Sequence, residues 1–131
     1  INNMQPLHNP DMVFTKYNPT KYVVNIKNNK NPFLLALNVN FNKNWKVYVS
    51  KPFSKNYIWD SWFQTPIDEM NHFNVNKNMN AWFIDDPEEN FDIIVEFWPQ
   101  RLVYFGSMLF FLTWLIMLFI FFRFNKYVAR N

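Results

Sequence analysis

Tryptophan and asparagine are the residues of this sequence whose types best suit the binding of a ligand. Flat indole rings stack on the apolar faces of sugars, and amide groups hydrogen-bond to their hydroxyls. The alternative is that the tryptophans fill the core of a small domain or rest on lipid headgroups, because large aromatic residues dominate cores and interfaces. We predict a saccharide-binding set of seven residues: Trp45, Trp59, Trp62, His72, Asn78, Asn80 and Trp82.

Histidine and acidic residues form no recognisable catalytic or metal-binding motif in the sequence. His72 follows Asp68 and Glu69 closely, but metal sites need three or more convergent ligands, and a structural histidine in a loop is the favoured interpretation. The acidic run 85–90 lacks the glycine and alternating ligands of a calcium loop and is typical of a solvated turn around Pro87. Without cysteine, and with one glycine, the chain has no thiolate site and no glycine-rich phosphate loop. We therefore predict no catalytic residue, no metal and no cofactor.

An uncharged apolar run over residues 102–122 is the clearest element of the chain. At 1.5 Å per residue it spans roughly 30 Å, which is the thickness of the hydrocarbon core of a bilayer. We predict a transmembrane helix over 100–124, with the lipid bilayer as its first partner. Gly106, Ser107 and Thr113 would let other helices of the same protein or complex pack closely. The net charge of +3 is too small to indicate a nucleic-acid partner.

The residues that flank this run predict its orientation. Cations follow the helix, whereas the segment before it is mainly acidic, so the positive-inside rule places the basic tail 125–131 in the cytoplasm or the organellar matrix. The preceding domain is then extracytoplasmic and needs an exported upstream segment, either a removed targeting peptide or, as we prefer, the rest of a polytopic protein. The predicted interface residues are Trp98, Arg101, Tyr104, Arg123, Lys126 and Tyr127.

Alternating apolar and polar residues predict a mainly β domain over 21–99. Five segments show the period of two that is typical of strands with one buried face, and their short Asn-rich turns predict antiparallel hairpins between consecutive strands. Residues 1–20, with three prolines, are predicted to be an extended lead-in. The irregular segment 51–80 is expected to be functional or to cover an open face of the core. The predicted fold is a small antiparallel β-sandwich of five or more strands followed by one C-terminal transmembrane helix; the strand segments are 22–27, 33–41, 45–50, 81–84 and 91–98.

Three stretches together resemble the C-terminal end of large prokaryotic polytopic membrane proteins of the GT-C type, which are glycosyltransferase-like proteins using lipid-linked sugar donors. They are NPTKYVVNIKNNKNPFLLALNVNFNKNWKVYV, HFNVNKNMNAWFI and IIVEFWPQRLVYFG, and the resemblance covers residues 18–122. In that family a β-rich extracytoplasmic domain contains a W-K-x-Y-like motif, here Trp45-Lys46-Val47-Tyr48, and ends at a Pro-Gln before a final helix. The resemblance implies a non-catalytic portion that covers the lumenal face or holds a saccharide. The alternative hypothesis is a single-span accessory subunit of a large membrane complex.

Overall fold

The computed structural model of the chain describes residues 9–52 and 57–128. Its compact units divide between Phe97 and Trp98, so that the strands belong to the first unit and the long helix belongs to the second. The described strands are β1 (Asp11–Asn18), β2 (Lys21–Lys27), β3 (Phe33–Asn40), β4 (Trp45–Ser50), β5 (His72–Val75), β6 (Met79–Ile84) and β7 (Phe91–Phe97), and the helices are α1 (Tyr57–Asp60) and α2 (Gln100–Val128), with a 3-10 turn at Glu69–Asn71.

The strands form two antiparallel sheets that enclose one apolar core. Sheet A has the order β1-β2-β7-β4, and sheet B has the order β3-β6-β5. Phe33 of sheet B stacks on Phe91 of sheet A with 6.4 Å between the ring centroids. The predicted mainly β fold followed by one apolar C-terminal helix is confirmed. The buried core residues are Val24, Ile26, Phe33, Leu35, Leu37, Trp45, Val47, Trp82, Ile84, Phe91, Ile93 and Val95.

The three hairpins predicted between consecutive strands are wrong, and the two that form within the described residues contain β1 and β5, which the sequence analysis did not predict. Among the described strands, only β1–β2 and β5–β6 are both consecutive and paired; β2 to β3, β3 to β4 and β6 to β7 cross between the sheets. Strand β2 pairs with β1 on one side and β7 on the other, so that neither edge is left for β3. Short polar turns do not distinguish a hairpin from a crossing between layers, because both reverse the chain in a few residues.

Strand β1 lies inside the segment 1–20 that the sequence predicts as an extended lead-in. It is the edge strand of sheet A, and most of its side chains are exposed, so its sequence does not show the alternation of a half-buried strand. Pro10 and Pro19 flank it, which agrees with the exclusion of proline from the interior of a hydrogen-bonded strand. The structure therefore corrects the lead-in prediction over Asp11–Asn18.

Helix α2 extends four residues beyond its predicted end at position 124, so that the start of the predicted basic tail is helical. The hydroxyls of Ser107 and Thr113 are satisfied within the helix, because Ser107 Oγ donates to the Val103 carbonyl at 2.8 Å and Thr113 Oγ1 donates to the Leu109 carbonyl at 3.0 Å. Among the described residues it is the one helix long and apolar enough to cross a membrane, and its apolar window is not buried by the protein.

Candidate functional site

The seven residues of the predicted saccharide set lie in three different places. Trp45 is buried on β4, and its ring centroid lies 5.9 Å from that of Tyr22 and 5.2 Å from that of Phe97. Trp59 and Trp62 lie in and just after α1, with their ring centroids 6.0 Å apart. The remaining four residues, which are His72, Asn78, Asn80 and Trp82, come together at β5 and β6.

The histidine of the β5–β6 group packs against aromatic rings. His72 pairs with Trp82 across the two strands, and their rings stack at 4.6 Å with 15° between the planes. Phe41 contacts the imidazole from another direction, at 5.0 Å. Because Trp82 is itself buried, its indole is a core element rather than an open platform.

The buried amide of Asn80 closes a bulge in β3. Its Nδ2 donates to the carbonyls of Val39 at 3.0 Å and Asn40 at 3.1 Å. Its Oδ1 accepts from the Asn42 N–H at 3.0 Å and lies 3.1 Å from His72 Nε2. A side-chain amide has two donor hydrogens and two acceptor lone pairs. These bonds therefore use the full capacity of Asn80 and leave none for a ligand.

This network fixes the tautomer of His72. Since Nδ2 of Asn80 must donate to two carbonyls, its Oδ1 must accept, and His72 Nε2 must carry the proton. Burial lowers the pKa of His72, and the hydrogen bond to Asn80 opposes that shift only in part. The histidine is therefore neutral at physiological pH and acts as a structural donor.

Asn78 is also engaged within the protein, because its Nδ2 donates to Asn40 Oδ1 at 3.1 Å.

The outer face of sheet A carries a second group of polar residues that the sequence did not identify as a site. Lys21 of β2 lies directly opposite Glu96 of β7 in the strand register, and its Nζ is 3.7 Å from Glu96 Oε2. Lys21 is 6% exposed and Glu96 is 3% exposed. The same Nζ donates to Oγ of the fully buried Ser61 at 2.9 Å. The segment that follows α1 therefore seals an ion pair beneath it.

A second polar row on this face lies under α1. Asn25 of β2 donates to Asp92 Oδ1 of β7 at 2.7 Å, and the Tyr57 hydroxyl donates to Asp92 Oδ2 at 3.2 Å. Burial raises the pKa of Tyr57, with a contribution from the charge of Asp92, so the phenol stays protonated and able to donate. Beside this row, Gln64 Nε2 donates to Ser50 Oγ of β4 at 3.5 Å.

An apolar row separates these polar rows and provides the sequence signal for the covered face. Val23, Ile94 and Tyr48 are cross-strand neighbours at outward positions of β2, β7 and β4, and all three are buried. Apolar side chains on both faces of a strand indicate that a layer covers each face. Within the segment 51–80, which the sequence analysis predicts to be irregular and functional or covering an open face, residues 57–64 cover this face through Tyr57, Ser61 and Gln64. The same segment contains β5 and the start of β6, so its prediction as irregular is wrong there.

The outer face of sheet B has the opposite character. Four of the cross-strand pairs that point away from the core are apolar, whereas Asn40, opposite Met79, is polar. No described element covers Leu34, Phe73 or Phe83, which are 53%, 44% and 41% exposed. We call this surface the apolar face. It consists of Leu34, Ala36, Phe73, Val75, Met79, Ala81 and Phe83.

The acidic run 85–90 forms a turn at one end of the sandwich. Asp86 Oδ1 accepts from the Glu88 N–H at 2.9 Å, and Asn29 Nδ2 donates to the Asp86 carbonyl at 3.0 Å. A polar cavity of about 340 Å³ lies between this turn and residues 29–32. Within the described part of the chain, no group of three or more His, Asp or Glu residues is placed to bind a metal ion.

Comparisons with protein-family models, with curated proteins and with solved structures gave no match to this chain. Its function is therefore inferred from its own surfaces.

Proposed function

We propose that this chain is a membrane-anchored binding subunit whose β-sandwich contacts a protein partner through the apolar face. The observation that carries this proposal is the exposure of Leu34, Phe73 and Phe83 on one uncharged surface. Contiguous exposed apolar residues are rare on monomeric soluble proteins and mark interaction sites. The apolar face also lies on regular strands, which present it without an ordering cost.

Helix α2 supplies the proposed anchor. Its 29 residues give a length of about 43 Å, which exceeds the roughly 30 Å of a hydrocarbon core. Its exposed apolar side chains would be unfavourable in water over such a length. Arg123 and Lys126 at its C-terminal end support an orientation in which that end lies on the cytoplasmic or matrix side and the sandwich lies on the other side.

The dimensions of the apolar face fit one helix of a partner protein. Sheet B has three strands, and its outermost strands are about 10 Å apart at the usual strand spacing. That width matches the diameter of an α-helix, which is roughly 10–12 Å with side chains. Because the face carries no charge, the partner helix should present an uncharged apolar stripe of three or four turns. This partner makes the chain an accessory subunit of a membrane assembly.

A charge placed on the apolar face tests this function. Phe83→Lys removes a half-exposed aromatic ring and forces desolvation of an ammonium in the complex, so we expect partner recovery to fall at least about ten-fold, or roughly 1.4 kcal/mol. The matched control is Val13→Lys, because Val13 is also exposed but lies on β1 of the other sheet. The measurement is stoichiometric copurification of the full chain from native membranes in mild detergent.

A photo-crosslinking residue at position 83 then identifies the contacted segment of the partner. An amphipathic helix among the crosslinked peptides supports the proposal. Equal recovery of all partners by Phe83→Lys, Val13→Lys and the natural chain would refute a role for the apolar face. Release of the chain from membranes by alkaline carbonate would refute the anchor separately.

Saccharide binding in a GT-C-like protein is the second candidate, and the exposure of Trp59 beside Trp62 favours it. An exposed indole can stack on a sugar ring. Titration of the full chain with oligosaccharides, with Trp59→Ala as the control, measures this activity. A saturable change in tryptophan emission that Trp59→Ala abolishes would support the second candidate, and its absence would remove the second candidate.

A further inference from the structure

The turn that follows α1 exposes aromatic side chains on either side of a buried serine. We call Trp59, Trp62 and Phe63 the aromatic turn. Trp59 is 59% exposed and Phe63 is 87% exposed, whereas Ser61 between them is fully buried. Within these five residues, Ser61 is therefore buried against the domain while the rings of Trp59 and Phe63 are exposed.

Hydrogen bonds fix the base of the aromatic turn. The N–H of Trp62 donates to the Trp59 carbonyl at 2.9 Å, which closes the turn locally. Lys21 Nζ donates to Ser61 Oγ at 2.9 Å and thereby ties the turn to the outer face of sheet A. The rings are thus presented in a defined position before any ligand binds, which lowers the entropy that binding must overcome.

We propose that the aromatic turn inserts into the headgroup region of a lipid bilayer. Indole rings favour the level of the headgroups because they are apolar with a polar edge, and a phenyl ring beside them adds apolar area. The largely exposed side chain of Phe63 gains free energy on leaving water. It has no polar atom that would lose a hydrogen bond to water. The inference rests on the proposed membrane anchor, which keeps lipid at a high effective concentration around the domain.

The polar groups beside the rings argue against a saccharide at the same place. Gln64 Oε1 is buried, while Gln64 Nε2 and Asp60 Oδ2 both bond to Ser50 Oγ, at 3.5 Å and 3.4 Å. Sugar binding needs polar groups that point toward the ligand, in addition to an aromatic platform. The tilt of 56° between the two indoles also departs from a common stacking plane.

Site-specific labelling tests the lipid contact, because the chain contains no cysteine and any introduced one is unique. Phe63→Cys in the full chain is labelled with an environment-sensitive nitrobenzoxadiazole dye and reconstituted into phosphatidylcholine vesicles. Side chains at the headgroup boundary lie roughly 5–10 Å deep, so a lipid spin label at that depth should lower the emission about two-fold or more. The matched control is Glu88→Cys, which labels an exposed turn at another part of the sandwich and should not be quenched.

A third label separates this inference from the anchor on which it rests. Trp114→Cys lies within α2, and a spin label deep in the acyl chains should quench its dye if the helix spans the bilayer. Quenching at position 114 with none at position 63 would overturn the lipid contact and leave the anchor intact. Absence of quenching at both positions would overturn the anchor as well. A dye at position 63 that responds to a saccharide and not to the lipid spin label would assign the aromatic turn to sugar binding and overturn the inference.

Discussion

Replacing Lys21 by methionine should destabilise the β-sandwich strongly. The substitution keeps most of the apolar stem but leaves Glu96, which is 3% exposed, without the ammonium 3.7 Å away. Removing one partner of a buried ion pair costs about 3–5 kcal/mol, because a buried charge loses its compensation. Ser61 loses the donor to its hydroxyl at the same time.

The expected loss is large compared with the stability of a typical domain, which is about 5–15 kcal/mol. At roughly 4–8 °C per kcal/mol for a domain of this size, the midpoint of thermal unfolding should fall by about 12–40 °C. The assays are thermal unfolding and urea unfolding of the full chain in detergent micelles, both followed by the emission of the buried tryptophans. An unchanged slope of the unfolding free energy against urea concentration would show that the native fold is kept.

Two further variants decide whether the ion pair is the cause. The double variant Lys21→Met with Glu96→Leu removes both charges of this buried pair, so it should recover most of the lost stability. Lys30→Met removes an exposed cation and should change the free energy of unfolding by less than about 0.5 kcal/mol. A loss of less than about 1 kcal/mol for Lys21→Met, or no recovery in the double variant, would refute the reasoning.

Three other substitutions test the networks around the core. Burial lowers the pKa of His72 below its ordinary value of 6.5. The unfolded chain therefore binds more protons, and the free energy of unfolding should fall as the pH drops below about 6.5. Urea titrations at several pH values should show that this free energy depends less on pH in His72→Gln than in the natural chain. Asn80→Ala should cost about 3 kcal/mol in the same assay, because several buried groups lose their hydrogen bonds, and a loss below about 1 kcal/mol would contradict the network. Tyr57→Phe should cost about 1 kcal/mol through the lost bond to Asp92, whereas Tyr17→Phe at an exposed position should cost nothing measurable.

The strands and the apolar helix could be predicted because their local patterns agree with their surroundings. Strand β3 alternates between buried and exposed residues, as the period of two requires. Strand β1 could not be predicted in this way, since it lies at an edge where few of its side chains are buried. Strand β5 has four residues, which is too short for alternation to be distinguished from an irregular loop.

The candidate sites depended on contacts that no local pattern records. Lys21 and Glu96 are 75 positions apart, and they meet only because β2 pairs with β7 in one particular register. The predicted saccharide set failed to assemble for the same reason, because Trp45 and Trp59 lie at separate places on the sandwich. Residue types suggested suitable chemistry, but the sheet order determined which side chains could act together.

The two outer faces of the sandwich differ in a way that supports the proposed partner. The outer face of sheet A carries the buried apolar row of Val23, Ile94 and Tyr48 between its polar rows, and a segment of the chain covers this face and forms hydrogen bonds with the polar rows. Sheet B carries apolar residues that would gain most from being covered, and yet the described chain leaves Leu34, Phe73 and Phe83 open. Apolar burial contributes to the cover on sheet A, and covering the outer face of sheet B would bring a similar gain. The open apolar face is therefore the surface on which the proposed partner would gain most by binding.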